Sequence, residues 1–130
     1  MTRTLRIGLA VLAGAVLFAA GFVAGQNKFG QPKTVIHVVA VKFKADSTPD
    51  QQQKALQGVL DMAAKIPGIK NVWIKSTRVQ PQGYSAAFVI EFADHAAADA
   101  YAESPIRNVW FNKVYNPIRE ESRSFQITNP

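Results

Sequence analysis

The hydrophobic pattern begins with an uninterrupted apolar run near the N-terminus. Residues 7–25 carry no charge and no strongly polar side chain, and Arg3 and Arg6 precede them. A membrane-spanning helix needs about 17–25 such residues, whereas the apolar part of a signal peptide has about 7–15. The length therefore predicts an N-terminal apolar helix that is retained as a membrane anchor. Cleavage after Gly25, which would make the segment a signal peptide, is the alternative.

The two N-terminal arginines predict the location of everything that follows. Cations beside an apolar segment stay on the cytoplasmic side. The remainder is therefore expected outside the cytoplasm, attached to the membrane or, after cleavage, secreted or periplasmic. The predicted organisation is a membrane anchor or signal peptide over 1–25, a polar linker over 26–33 and a folded domain over 34–128.

Strand and helix patterns alternate within the folded part. The order is a strand from Val35 to Lys44, a helix from Thr48 to Pro67, strands over 69–79 and 84–92, helical segments from Asp94 and from Ser104 to Pro117, and a strand over 121–127. Thr48, Pro49 and Gln51 are of the types that begin a helix. The residues predicted to face the core are Leu56, Val59, Leu60 and Ala63 in the first helix and Ile106, Val109, Trp110 and Val114 in the last helical segment.

This βαββαβ order predicts an α+β, ferredoxin-like fold. Four antiparallel strands would form one sheet, covered by helices on one face, with the first and third strands in the centre. Those two strands are apolar on both faces, and Val38 and Val89 lie on the face that no helix covers. A second copy of the sheet is the most economical cover, so a homodimer through the sheet face is predicted.

Four motifs in this order carry a family resemblance. They are His37 to Lys44 (His-Val-Val-Ala-Val-Lys-Phe-Lys), Lys65 to Ile69 (Lys-Ile-Pro-Gly-Ile), Tyr84 to Phe92, and Ala100-Tyr101 before Ser104-Pro105. Together they resemble the stress-responsive A/B barrel (Dabb) family of dimeric α/β barrels over about 34–127. The resemblance implies a ferredoxin-like subunit that dimerises sheet to sheet, and it does not include the N-terminal segment.

The resemblance also implies a pocket. A plant polyketide cyclase of this family uses a histidine in a His-Pro-x-His motif together with a nearby tyrosine. Tyr101 matches that tyrosine and His37 matches a first-strand pocket histidine, but Arg107 stands where the catalytic histidine would be. Arginine stays protonated and cannot act as a general base, which argues against cyclase chemistry. The implied ligand-binding residues are His37, Tyr101, Arg107, Phe88 and Trp110, with Val39 also in the lining.

Each of these residues also has a purely structural interpretation. His37 could be a hydrogen-bonded core histidine, and Tyr101 could belong to the core of its helix. Arg107 follows Glu103 by four residues, the spacing of a surface ion pair on a helix. Trp73 and Trp110 have the character of packing residues.

Composition removes several classes of function. The chain has no cysteine, which excludes disulfides, thiolate metal sites and cysteine nucleophiles. The chain has only two histidines, His37 and His95, which is too few for a dedicated metal site, so neither a metal nor a cofactor is predicted. The net charge of +6 is modest for a nucleic-acid-binding protein, and the aromatic spacing differs from that of RNA-recognition domains. No nucleic-acid partner is therefore expected.

Two functional hypotheses remain open. The first is an exported or membrane-anchored dimeric module that binds a small acidic, aromatic or fatty ligand, or is structural. The alternative is a cofactor-independent enzyme, similar to a polyketide cyclase or a monooxygenase, with His37 and Tyr101 as its catalytic candidates.

Overall fold

The computed structural model describes residues 3–4, 7, 12–13 and 30–130 of the chain. The chain divides into two compact units, Met1–Gln31 and Pro32–Pro130. Most of the apolar segment over 7–25 and most of the linker over 26–33 lie outside the described residues, so both stay predictions. Among the residues that are described, no helix is both long and apolar enough to cross a membrane.

The second unit is one antiparallel sheet with helices on one face. Its elements are β1 (Val35–Phe43), α1 (Pro49–Ala63), β2 (Ile69–Trp73), β3 (Ala86–Phe92), α2 (His95–Glu103), α3 (Pro105–Trp110), a π-helical turn (Phe111–Tyr115), a 3-10 turn (Asn116–Ile118) and β4 (Arg119–Ile127). The strand order is β2-β3-β1-β4. The predicted ferredoxin-like sheet with β1 and β3 in the centre is confirmed.

Side-chain caps fix where the first two helices begin. The Oγ1 atom of Thr48 accepts a hydrogen bond from the Gln51 amide at 3.2 Å, and the Gln51 side chain accepts one from the Thr48 amide at 2.9 Å. Asp94 accepts a hydrogen bond from the Ala97 amide at 2.8 Å. These bonds satisfy amides that have no partner inside the helix. Both predicted helix starts are confirmed.

The predicted strand over 69–79 is too long. β2 is an edge strand that pairs with β3 alone, and the last pair joins Trp73 to Val89. The polar and turn-forming residues beyond Ile74 form a loop because no second strand holds them in the sheet. At the other edge β4 begins earlier than predicted, at Arg119.

The predicted apolar stripes of the helices need correction as well. In α1 the buried residues are Ala55, Val59 and Met62, whereas Leu60 is exposed. In the last helical segment Trp110 is buried as predicted and Val114 is partly buried, but Ile106 and Val109 are exposed. Tyr115 and Ile118 are buried in addition. The π-helical turn, whose i→i+5 spacing places residues five apart on one face, brings Tyr115 to the same side as Trp110. Prediction from a period of 3.6 residues could not anticipate that rotation.

The two faces of the sheet have different surroundings. Val35, Val39 and Val41 point towards the helices and are buried in the core. On the helix-free face, Val38 pairs with Val89 of β3 and with Phe125 of β4. The exposed aromatic and aliphatic side chains of this outer face are Trp73, Phe125 and Ile127. Trp73, predicted as a packing residue, is therefore a surface residue of this protomer.

Candidate functional site

A cavity of about 140 Å³ lies between the inner face of the sheet and the segment from α2 to the π-helical turn. Its lining consists of His37, Val39, Phe88, Tyr101, Arg107, Trp110, Phe111, Tyr115, Ser122 and Ser124. The structure thus brings together all five predicted ligand-binding residues. Their role in binding stays a prediction.

Strand alternation positions the residues that the sheet contributes. His37 pairs with Ile90 of β3 and with Gln126 of β4, so it shares the helix-facing side of the sheet with Val39. Tyr101 comes from α2, with its ring centroid 6.4 Å from that of His37. The histidine and the tyrosine therefore face one another across the end of the cavity.

The aromatic wall of the cavity is tightly packed. The ring of Trp110 stacks on Tyr115 with centroids 4.8 Å apart and forms a T-shaped pair with Phe88, with centroids 6.0 Å apart. The Nε1 atom of Trp110 donates a hydrogen bond to the carbonyl oxygen of Ala55 at 2.9 Å. Since its polar atom is engaged in this way, Trp110 anchors the wall to α1 and offers the cavity its apolar surface.

Arg107 is a half-buried cation without an acidic partner. Its guanidinium carbon lies 4.4 Å from the ring centroid of Phe111 and 6.0 Å from that of Tyr101. Every Asp and Glu of the sequence lies in the described part of the chain, where the ion pairs are Lys42–Glu120 and Arg123–Glu121. The alternative of an Arg107–Glu103 surface pair is therefore wrong, because the extended backbone at Ser104 separates α2 from α3.

Burial sets the charge of the titratable groups in the cavity. Burial and, secondarily, the Arg107 cation lower the pKa of His37, which favours the neutral imidazole at pH 7. Burial raises the pKa of the Tyr101 phenol, although Arg107 opposes that shift. Burial also raises the pKa of Tyr115. At neutral pH the residues that line the cavity therefore supply one cation, Arg107, two protonated phenols and no anion.

Three lining side chains carry a buried polar atom that has no hydrogen-bond partner among the described residues. These atoms are Nδ1 of His37, Nε of Arg107 and the hydroxyl of Tyr115. Buried polar groups are rarely left unpaired, because each one loses its hydration without gaining a bond. The arrangement can supply donors to an oxygen-rich ligand, and Nδ1 of His37 argues against a fully bonded core histidine.

The lowered pKa of His37 gives an expected pH dependence of stability. The unfolded chain binds a proton near pH 6.5 that folded His37 resists, so the free energy of unfolding should fall as the pH drops from 6.5 towards 5. The fall should be about 1.4 kcal/mol per unit of pKa displacement. His37→Gln should remove it in urea titrations at several pH values. Equal slopes in the wild type and His37→Gln would contradict the assignment.

Sequence reasoning missed four of the ten lining residues. Phe111 and Tyr115 face the cavity because of the π-helical turn, which no simple periodicity reveals. Ser122 and Ser124 could have been found, because two serines in alternate positions of a strand lie on one face.

The fold and the cavity together define a ferredoxin-like α+β domain with a small polar-ended pocket between its sheet and its helices. The chain belongs to the stress responsive A/B barrel domain (Dabb) family, whose model matches residues 35–128. The family resemblance of the four motifs is therefore confirmed. The comparison with curated proteins finds no match.

Solved structures share this fold at low sequence identity. A Dabb family protein with a ferredoxin-like fold from Mesorhizobium loti is 20% identical, with a TM-score of 0.64 over 75% of this chain and 97% of its own. A dimeric ferredoxin-like protein of unknown function from Thermobifida fusca is 19% identical, with a TM-score of 0.64 over 78% and 96%. A hydroxynitrile lyase from Passiflora edulis is 16% identical, with a TM-score of 0.66 over 74% and 93%.

Proposed function

We propose that this chain is a dimeric Dabb module that binds a small acidic aromatic ligand in the cavity between its sheet and its helices. The observation that carries the proposal is Arg107, a half-buried cation that no carboxylate neutralises. A carboxylate or phenolate would supply the missing charge and accept hydrogen bonds from the planar donor fork of the guanidinium. The phenols of Tyr101 and Tyr115, protonated at neutral pH, are further donors.

The size and walls of the cavity narrow the ligand class. Its volume of about 140 Å³ is small, which suits a single ring better than a fatty chain. The aromatic faces of Phe88 and Trp110 offer that ring an apolar surface. Of the acidic ligands predicted from the sequence, aromatic acids therefore fit this cavity better than fatty acids.

Acid binding is tested by calorimetry on the full-length chain with benzoate, salicylate and neutral benzamide. We expect the two acids to bind and benzamide to bind at least tenfold more weakly. Arg107→Gln should weaken acid binding by about 10- to 100-fold, as expected for loss of a hydrogen bond to a charged group. The control is Arg123→Gln, since Arg123 is exposed and paired with Glu121. Acid binding that is unchanged in Arg107→Gln would contradict the proposal.

Self-association through the outer face of the sheet is part of the proposal. Trp73, Phe125 and Ile127 are each more than half exposed there, around the apolar centre formed by Val38 and Val89. Contiguous apolar patches of this kind are uncommon on monomers. The dimeric Thermobifida fusca protein has the same fold. A two-fold partner would cover the same patch on both copies.

We further propose that residues 7–25 hold the domain at the membrane, outside the cytoplasm. The support is the uncharged run behind Arg3 and Arg6. Fractionation of the native host should place the full-length chain in the membrane fraction. A soluble chain whose N-terminal sequence begins near Gln26 would show a cleaved signal peptide instead.

One observation favours a second candidate, a cofactor-independent enzyme. His37 is biased towards its neutral form, and its Nδ1 is buried without a partner among the described residues, so it can accept a proton from a bound substrate. Arg107 would then stabilise the anion that forms. The hydroxynitrile lyase from Passiflora edulis has the same fold. Cyanohydrin cleavage or polyketide cyclisation by the wild type, lost in His37→Gln, would establish this candidate over binding alone.

A further inference from the structure

We infer that Arg119 is a second cation of this site and that the ligand carries two negative charges; the inference rests on the proposed function. The guanidinium carbon of Arg119 lies 5.4 Å from the ring centroid of Phe111 and 5.8 Å from that of Tyr115. Both rings line the cavity. Neither the family resemblance nor the residue pattern of the sequence points to this arginine.

The two arginines lie near the same ring. The guanidinium carbon of Arg107 is 4.4 Å from the Phe111 centroid, so the separation of the two cations cannot exceed the sum of their distances to that point. Two positive charges at such a separation repel one another weakly in water and more strongly where neighbouring rings exclude it. Neither arginine has a carboxylate within ion-pair distance in the described part of the chain, which contains every Asp and Glu. Two negative charges on a ligand would balance the pair.

A β-bulge directs Arg119 towards the cavity. Glu121 pairs with Lys42 and Arg119 pairs with Phe43, which leaves Glu120 as an extra residue in β4. Without that bulge Arg119 would lie on the same face as Glu121, since residues two apart in a strand share a face. Bulges often redirect a side chain beside an active site. Here the two acids that follow Arg119 bind Lys42 and Arg123 instead.

Arg119 is also held in place with donors to spare. Its Nε and Nη2 atoms donate to Oδ1 of Asn116 at 3.2 and 2.7 Å, and Nη1 donates to Oγ of Ser122 at 3.0 Å. Ser122 lines the cavity. A guanidinium has five N–H donors, so two remain for a ligand. The fixed fork is arranged to bind an oxyanion with little further loss of side-chain freedom.

The test compares anions of one and two charges on the full-length chain at pH 7.5. Benzoate carries one negative charge, and isophthalate and phenyl phosphate carry two. Calorimetry should show that one of these two dianions binds at least tenfold more tightly than benzoate. Tighter isophthalate binding would indicate two separate acidic groups, and tighter phenyl phosphate binding one doubly charged group. Arg119→Gln should weaken binding of that dianion at least tenfold more than it weakens benzoate binding, whereas Arg123→Gln should change neither affinity.

The outcomes separate this inference from the proposed function. If benzoate binds through Arg107 but no dianion binds more tightly, the second cation has no role and the inference is wrong. Equal weakening of benzoate and the dianion by Arg119→Gln would mean a structural role only. If no anion binds the wild type, both the inference and the proposed function are wrong. The wild-type comparison decides the matter even if Arg119→Gln fails to fold.

Discussion

Replacing Val89 by lysine is expected to separate the proposed dimer into monomers. Val89 lies on the helix-free face of the central strand β3, paired with Val38 of β1 and Trp73 of β2. A lysine there would place a cation on each copy close to the two-fold axis of a sheet-to-sheet interface. Each buried and unpaired charge costs several kcal/mol, so the dissociation constant should rise by at least 100-fold.

The matched control is Val109→Lys. Val109 is an exposed valine of α3, on the opposite side of the domain from the outer face of the sheet. Sedimentation of the full-length chain in a non-ionic detergent should show a dimer for the wild type and Val109→Lys and a monomer for Val89→Lys. A monomeric wild type, or a Val89→Lys variant that remains dimeric at micromolar concentration, would contradict the sheet-to-sheet arrangement.

Prediction from the sequence succeeded where a single local rule decides the structure. The capping residues Thr48 and Asp94 mark helix starts because their bonds are made within three residues along the chain. The central position of β1 and β3 followed from the βαββαβ order, and their apolar residues on both faces agree with it. The end of β2 was missed because pairing with a distant strand, and not the residues themselves, determines where an edge strand stops.

The candidate site was predicted only where regular strands and helices position its residues. His37, Tyr101 and Arg107 occupy family positions, and the regular strand and helix around the first two bring them to the cavity. Tyr115 lines it because of a π-helical turn, and a β-bulge turns Arg119 towards the ring of Phe111 in its wall. Each irregularity alters the register by one residue. Such irregularities result from tertiary packing and leave no periodic signal in the sequence.

Gly58 in α1 packs directly against Trp110, which lines the cavity. It lies within α1, where an Ala would ordinarily stabilise the helix by about 1 kcal/mol. A Cβ atom at this position would lie 2.5 Å from Nε1 of Trp110 and closer still to Cδ1. The indole has little room to yield, because it is bonded to Ala55 and stacked on Tyr115. The close approach of Trp110 to α1 therefore requires glycine.

Gly58→Ala is accordingly expected to destabilise the domain by about 1–3 kcal/mol, the usual cost of overpacking. For a domain of this size that corresponds to a fall in Tm of about 5–15 °C. Acid binding should weaken as well, since Trp110 forms part of the cavity wall. Thermal unfolding, monitored by far-UV circular dichroism, measures the loss of stability, and calorimetry with benzoate measures the loss of binding. The control is Gln53→Ala, on the exposed face of α1.

A double-mutant cycle separates the clash from any general effect on the helix. In a Trp110→Leu background the large ring is absent, so Gly58→Ala should become neutral or stabilising, as it is in an unobstructed helix. Coupling of at least 1 kcal/mol between the two positions is expected, because residues in direct contact rarely have additive effects. A higher Tm for Gly58→Ala in the wild-type background would show that the indole moves aside at little cost, and Trp110 would then not be the rigid wall that the proposed ligand site requires.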